Sequence, residues 1–540
     1  MDVEIMSDPQ KLRNYIKDLR VEKKSGELDE EDRLNNQETS WRNVIDYSLI
    51  ESCIEHYDED IRLEILGLLV DSKKSTLFFN EKELQLIMHF LIINLGERLE
   101  FVPLIKRALK RVKESLAVFK RHLAQLDKLE SCKHDVRDNL ELYENLKEEY
   151  LQLANIAEHS IDYYKNFYLQ VRETCLTGIR PGSTHTRKKN SLRIIQLEEE
   201  FLANEFRNSA WTREQADKLF ECLLLDTYET NKEVTYKILT NINPNLLQLD
   251  DETKVQEIIE VALKLGNSIR PIDSITASYM ARISLLSPVI KTVLNRYMEI
   301  DGAIKSADDI TLHLIIIVIE QLRGPARLAS ENIITAAARH SLYGYLLCIR
   351  LLLSTCNLKK QANSKLWIDT INEIISICLS LNNSVTQIVN SSSPEGHLPM
   401  DLDNKILDAD SDTAVTPQMV LLCSWRTVKE VSLLFGYLAE KSPIEGEDVN
   451  SGLLSKDQII KIGDHLVTLL CETKHRGAFE QAHVGFEQLC KRLWRLKQPS
   501  LNELPKLWLY QLLLAITGLS SSNSKLCATR RSAGVPFMVQ

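Results

Sequence analysis

The chain has 540 residues, 44 % hydrophobic and 26 % charged, the composition of a folded protein able to bury a large core. Its 18 glycines and 14 prolines make up about 6 % of the residues, against roughly 12 % in average proteins. That scarcity argues against β-sandwiches, barrels and propellers, which need a turn every ~8–12 residues. A net charge of −10 argues against polyanion binding by the molecule as a whole, so any nucleic-acid site has to be a local basic patch.

Residues 1–40 are charged and weakly periodic, and read as a poorly ordered lead-in. They contain no apolar run of signal-peptide length. The most apolar stretch, Leu314 to Ile319, is far short of the ~18 residues that span a bilayer. Eleven cysteines stand singly, none in a C-x-x-C pair, and read as free thiols in a reducing compartment. The expectation is a cytoplasmic protein that is not an integral membrane protein.

From Trp41 the pattern turns helical. Ile61, Ile65, Leu68 and Leu69 follow the i, i+4, i+7, i+8 spacing of one helix face. Acidic residues open the segment and Arg62 follows early, as in the second helix of an armadillo or HEAT repeat. A weaker echo runs from Asn231 to Leu239. No glycine or proline occurs from Leu104 to Thr177, with a polar break around Ser131 to Asp135, so at least two long helices are expected there. Gly178 to Lys189 reads as a basic loop, and helix pairs fill 192–382. The region 41–387 is therefore a helical-repeat region, since helix pairs that cannot bury their apolar faces alone have to stack. The fold class is all-α, an armadillo/HEAT-like α-solenoid of stacked helix pairs. Residues 388–417 form an acidic flexible insert, with six acids against Lys405 between 388 and 413. Residues 418–540 form a further helical segment. Val535-Pro536 announces a helix that the chain has no room to complete, which reads as a fragment of a longer protein.

No Gly-rich phosphate loop, nucleophile elbow, H-E-x-x-H or dinucleotide fingerprint occurs. His465, His475 and His483, with Glu480 near, match no familiar zinc spacing, so no metal, no cofactor and no catalytic residue is expected. Binding features remain. In the helix from Lys106 to Arg121, Lys106, Lys110, Lys113, Lys120 and Arg121 fall within about 100° of one another. Arg107 and Arg111 lie alongside, with Leu109, Val112, Leu116, Phe119 and Leu123 opposite. This stripe can track phosphates by counterion release, helped by Arg187, Lys188 and Lys189. The equally simple reading is a solvated face paired with neighbouring acids. Lys474, His475 and Arg476 follow Thr473, read as a helix cap, and would sit where free backbone N–H groups favour anions. Arg530 and Arg531 carry planar guanidinium groups suited to phosphate or carboxylate. Ser532, Ala533, Gly534 and Pro536 after them allow close approach of another backbone or a ribose, or simply make a tight turn.

The words Ser424-Trp425-Arg426-Thr427-Val428-Lys429-Glu430-Val431-Ser432, Thr473-Lys474-His475-Arg476-Gly477-Ala478-Phe479-Glu480 and Arg530-Arg531-Ser532-Ala533-Gly534-Val535-Pro536 together resemble the thyroid adenoma-associated protein (THADA) family. The match that carries motifs covers about 415–540, and Ser393-Pro394-Glu395-Gly396 is also similar. The resemblance implies an α-solenoid without catalytic residues. It implies association with an FtsJ-like methyltransferase that binds S-adenosylmethionine. The pair would methylate the 2′-hydroxyl of the first nucleotide of the tRNA anticodon loop. Arg530 to Pro536 match the family signature for this role, with Val535 where some relatives have Leu. The expected partners are therefore that methyltransferase and the tRNA anticodon stem-loop. The alternative is a protein-interaction scaffold acting on the endoplasmic-reticulum calcium pump and energy storage without RNA.

Overall fold

Nearly every element among the described residues is a helix, and a helix with one apolar face has to bury it against another element, here another helix. The computed structural model describes residues 8–28, 40–131, 140–206, 211–298, 306–391, 415–447, 452–517, 519 and 534–539. The chain divides into two units, Met1–Leu247 and Gln248–Gln540. That division falls inside the stretch 41–387 that the sequence presents as one region.

The first unit opens with α1 (Pro9–Ser25), a helix inside the charged lead-in 1–40. Asp8 caps it by accepting from Gln10 N at 2.9 Å, and Gly26 ends it at φ 91°. Leu12, Ile16 and Leu19 are buried, a sparse apolar row set in charged text. A short antiparallel pair, β1 (Ser40–Trp41) and β2 (Ile45–Asp46), leads into α2 (Tyr47–Ile54), α3 (Glu59–Val70) and α4 (Glu81–Asn94). α1 packs on α3, whose Ile61, Ile65, Leu68 and Leu69 are fully buried as their spacing predicts. Then come the long α5 (Val102–Ser131) and α6 (Leu140–Gly178), packed together. They flank the expected break, whose residues 132–135 lie outside the described ones. α7 (His185–Leu202), α8 (Arg213–Leu225) and α9 (Glu229–Leu239) complete the unit, each packing on its neighbour or next neighbour.

One device recurs. α3 ends Leu68-Leu69-Val70-Asp71 and α8 ends Leu223-Leu224-Leu225-Asp226. The last carbonyls of an α-helix have no partner within it. Here they accept from a lysine of another helix: Lys23 Nζ donates to Leu68 O and Leu69 O at 2.7 and 2.9 Å, and Lys232 Nζ donates to Leu223 O and Leu224 O. Both lysines are fully buried. Each terminal aspartate in turn holds cations. Asp71 takes Arg20 at 2.7 Å and Arg107 at 2.5 Å, and Asp226 takes Lys188 at 3.4 Å. Burial pushes the Asp71 carboxyl up, but Arg20, Arg107 and Lys24 outweigh it and hold it below its ordinary range.

In the second unit α10 (Glu252–Gly266) and α11 (Pro271–Ser284) form a hairpin, and α12 (Ile290–Met298) and α13 (Ala307–Glu331) follow. After them come α14 (Ile333–Arg339), α15 (Tyr343–Leu353), α16 (Lys365–Val389) and α17 (Pro417–Lys441). The chain then builds α18 (Lys456–Glu472), α19 (Arg476–Leu493), the single turn α20 (Pro499–Asn502), α21 (Leu504–Ile516) and α22 (Val535–Val539). The acidic insert lies outside the described residues from 392 to 414. α17 and α19 cross closely because both carry glycine at the crossing: a Cβ on Gly485 would lie 2.3 Å from Ser432 O, and one on Gly436 2.8 Å from Gly485 Cα. The nine cysteines among the described residues are all free thiols, seven of them buried.

Two predictions follow from this packing. Gly485→Ala forces α17 and α19 apart against backbone, not a yielding side chain, and should cost about 1–3 kcal/mol in urea unfolding. A cost near zero would mean the crossing is loose. The second concerns Arg172, which serves two carboxylates, Glu198 at 3.1 Å and Glu199 at 2.7 Å. One guanidinium neutralises one of them, and desolvation, only partly offset by Arg172, pushes buried Glu198 up to about 8. Because the folded state then holds a proton the unfolded state has released, the Glu198 contribution to stability falls as pH rises from about 5 to 8 and is lost above. Asp71 and Glu83, held low by their cations, act only at more acid pH. Thermal melts at pH 6 and 8 should show this loss, and Glu198→Gln should flatten it.

Candidate nucleic-acid interface

The basic stripe on α5 is largely spent inside the fold. Leu109, Val112, Leu116 and Phe119 are buried as expected, and Leu123 is half-buried. Arg111, however, is 2 % exposed and leaves the stripe. Its guanidinium donates to Leu77 O, Phe78 O and Val70 O and lies over the Phe79 ring at 3.8 Å. Arg107 is bound by Asp71, Lys110 by Glu114 at 3.7 Å, and Lys120 by Glu205 at 2.6 Å. Lys106 and Lys113 stand over Phe201 at 6.0 and 5.8 Å, and Arg121 is exposed. The paired-face reading therefore accounts for half of the stripe, while Lys106, Lys113 and Arg121 stay open to solvent.

The expected basic loop is in part a helix. Thr184 caps α7 by accepting from Arg187 N at 3.3 Å, so Arg187, Lys188 and Lys189 lie in its first turns. Three cations at a helix N-terminus oppose the helix dipole, and only Lys188 is neutralised, by Asp226. Neither Arg187 nor Lys189 has a carboxylate within 4.0 Å among the described residues.

In the second unit the motif-bearing words come together. Ser424 and Thr427 are buried and bond back to the carbonyls of Val420 and Cys423 within α17, leaving Trp425 and Arg426 to face outward from the core. The Trp425 ring stacks on His475 at 5.3 Å and 15°. The Arg426 guanidinium lies over Trp425 at 5.1 Å and over Tyr343 at 5.6 Å. Glu430 holds Arg350 at 2.8 Å. Thr473 is the C-terminal cap of α18 and not the cap of α19, whose N-cap is His475. The backbone N–H groups of Lys474 and His475 both donate to Val389 O, which ties the linker between α18 and α19 to the end of α16. Gly477 lies under Trp425, where a Cβ would be 3.3 Å from the indole and the ring would have to shift by a few tenths of an ångström. Arg476 is exposed and paired with Glu480 at 2.7 Å.

The third word joins the same place. Gly534 sits where a Cβ would be 2.5 Å from Leu470 O, so the backbone that approaches it is the end of this chain's own α18. Pro536 lies in α22, and Phe537 packs against Phe479 at 5.9 Å and His483 at 5.1 Å. Arg530, Arg531, Ser532 and Ala533 lie outside the described residues. Trp425 and Phe537, which hold these words together, were not singled out from sequence; their one local signal is an aromatic inside or beside each word.

The titratable groups around the cluster are shifted by burial. Burial pushes the thiols of Cys423 up to about 12 and Cys471 up to about 11, too high for a thiolate nucleophile. Desolvation lowers His465 to about 4, and Asn382 lies 2.7 Å from its Nε2. No three His, Cys, Asp or Glu side chains among the described residues could hold a metal ion, and no described helix is long and apolar enough to cross a membrane.

Comparison with known proteins places these features in a family. The profile described as "Trm732, TPR repeats" matches residues 6–245, and that described as "THADA/TRM732, DUF2428" matches 369–540. Human tRNA (32-2'-O)-methyltransferase regulator THADA is 28 % identical over 579 residues, covering 94 % of this chain and 29 % of the relative. The Drosophila melanogaster protein of that name is 33 % identical over 399 residues, 69 % of this chain and 22 % of the relative. The Schizosaccharomyces pombe regulator trm732 is 27 % identical over 249 residues, 45 % of this chain and 15 % of the relative. The chain thus spans under a third of the length of these relatives. No solved structure matches. Helical repeats in the first unit and the gathered motifs in the second lead to one assignment: the chain belongs to the THADA/Trm732 family.

Proposed function

We propose that this chain is a non-catalytic part of a tRNA 2′-O-methyltransferase regulator, binding tRNA and the methyltransferase that modifies it. The relatives are named as regulators of tRNA (32-2'-O)-methyltransferase, which supports the class of activity. An FtsJ-like partner carries S-adenosylmethionine and the reacting groups, and the tRNA presents its anticodon stem-loop. Methylating one ribose demands that a flexible loop be held against a fixed centre, and positioning of that kind is where an auxiliary chain adds rate. Folded RNA is gripped mainly through phosphates and shape, which suits local cations on a rigid helical frame in an otherwise acidic, soluble cytoplasmic protein.

The observation that carries this reading is the convergence of three distant words on the start of α19. The Trp425–His475 stack and the seat of Gly534 on Leu470 make one surface, and Arg530 and Arg531 lie just before that seat in sequence. Arg530 and Arg531 hold tRNA phosphate or brace the loop against the methyltransferase. Lys474, His475 and Arg476 contribute at the helix start, and the solvent-facing cations of the first unit hold the rest of the tRNA.

Replacing Arg530 and Arg531 with Ala in the full-length protein should abolish ribose methylation of the target nucleotide, while the melting temperature moves by less than about 2 °C. Unchanged methylation would reduce the word to a structural turn. Gly534→Val should act more broadly. Its side chain collides with Leu470 O, so segment 534–539 leaves α18 and proteolysis near the C-terminal end accelerates at least about tenfold, with methylation lost in parallel. Purified chain with S-adenosylmethionine and tRNA, and no partner, should yield no methylated product; product formation would overturn the reading.

A further inference from the structure

Within the first unit, three helices present their first residues to one open cleft of about 780 Å³: Val102 and Pro103 of α5, His185 and Thr186 of α7, Thr230 and Asn231 of α9. Each N-terminus carries roughly half a positive charge, so the cleft is electropositive before any side chain is counted. Arg98, Lys189 and Arg193 also line it. All three are exposed, and none has a carboxylate within 4.0 Å among the described residues. Their neighbours differ: Arg107, Lys120 and Lys188 are each bound to an acid. Glu97 and Glu100 share the rim, exposed and holding none of the three cations.

The shape selects the ligand class. The cleft is open, which suits a passing strand better than an enclosed small molecule. His185, Lys189 and Arg193 stand four residues apart on one face of α7, a row with about 6 Å between members, the scale on which successive phosphates of a strand are set. His185 is held by its neighbours, its ring 3.8 Å from that of Tyr228, so Lys189 and Arg193, the latter donating to Gln196 Oε1 at 2.6 Å, form the exposed cationic pair, with Arg98 facing from the α4–α5 connection. An arginine on each side offers planar bidentate donors to phosphate oxygens.

We propose that this cleft is a phosphate-backbone site for folded RNA, with Arg98, Lys189 and Arg193 as its contacting residues. The proposal rests on the reading that the chain binds tRNA, and it names where the first unit does so. Fluorescently labelled tRNA is titrated with the full chain, alone and with its methyltransferase, at several salt concentrations. Lys189→Glu with Arg193→Glu should weaken binding at least about tenfold near 0.1 M salt and lower the salt slope by about 2, one unit per lost phosphate contact. Lys189→Arg with Arg193→Lys should retain binding. Both variants alter exposed side chains and should melt like the parent. If the parent binds tRNA and the charge-reversed variant binds equally with the same slope, the cleft proposal falls and the broader reading stands. If the parent fails to bind tRNA even with the methyltransferase, both fall. If a polyglutamate peptide displaces tRNA at equal charge concentration, the cleft belongs to an acidic protein segment and the proposal is overturned.

Discussion

The helix end held by a buried cation is the interaction on which the first unit depends. Stacking helices leaves the last carbonyls of each helix pointing into protein, where water cannot satisfy them. Lys23, Lys232 and Arg111 reach those carbonyls from neighbouring helices. Two of these cations also meet a carboxylate or an aromatic face: Lys23 lies 3.9 Å from Glu83 and over Trp41, and Arg111 lies over Phe79. Removing one member of such a set strands a buried charge, at a cost of about 3–5 kcal/mol. The same contacts lock successive helices in register.

This device has a consequence for function. Of the chain's 66 lysines and arginines, Lys23, Lys232 and Arg111 serve helix ends and Arg20, Lys24, Arg107 and Lys188 serve the C-cap aspartates. Cations that stay solvent-facing are then informative, because the fold has no use for them. On that ground the α5 stripe is weakened as an RNA track by the loss of Arg111 and the pairing of Arg107, Lys110 and Lys120. At the start of α7, Arg187 and Lys189 have no carboxylate within 4.0 Å among the described residues. The second unit works by a different rule, in which small residues set the geometry: Gly436 and Gly485 let α17 and α19 cross, Gly477 makes room for Trp425, and Gly534 lets the chain return to α18.

Local patterns were legible in the sequence and distant contacts were not. The face of Ile61, Ile65, Leu68 and Leu69, the opposed face of α5 and the two long helices about residues 132–135 follow from spacing alone. Arg111 could not be placed that way: it lies at the border of polar and apolar faces, and its carbonyl partners come from the end of α3 and the turn before α4. Helix α1 was hidden by its charge, although Asp8-Pro9 is a sound start signal and Leu12, Ile16 and Leu19 keep helical spacing. The turn at Pro181-Gly182 and three basic residues disguised Thr184 as loop when it is a cap. Of the candidate interface, the words themselves were readable. Their meeting was not, since the Trp425–His475 stack joins α17 to the start of α19 across the α17–α18 connection and the whole of α18. The family profile describes residues 6–245 as TPR repeats, whereas the acidic opening, early Arg62 and apolar stripe of α3 read as armadillo/HEAT-like; the two agree on an all-α solenoid of helix pairs.

In the proposed function these stacked helices are a support that offers RNA to a methyltransferase's active site. Mapping ribose methylation of tRNA from cells lacking the protein tests it most directly. The account predicts that 2′-O-methylation of the first anticodon-loop nucleotide disappears from the target tRNAs and returns when the full-length protein is restored, but not when Arg530 and Arg531 are both Ala. Methylation persisting at that nucleotide without the protein would contradict it.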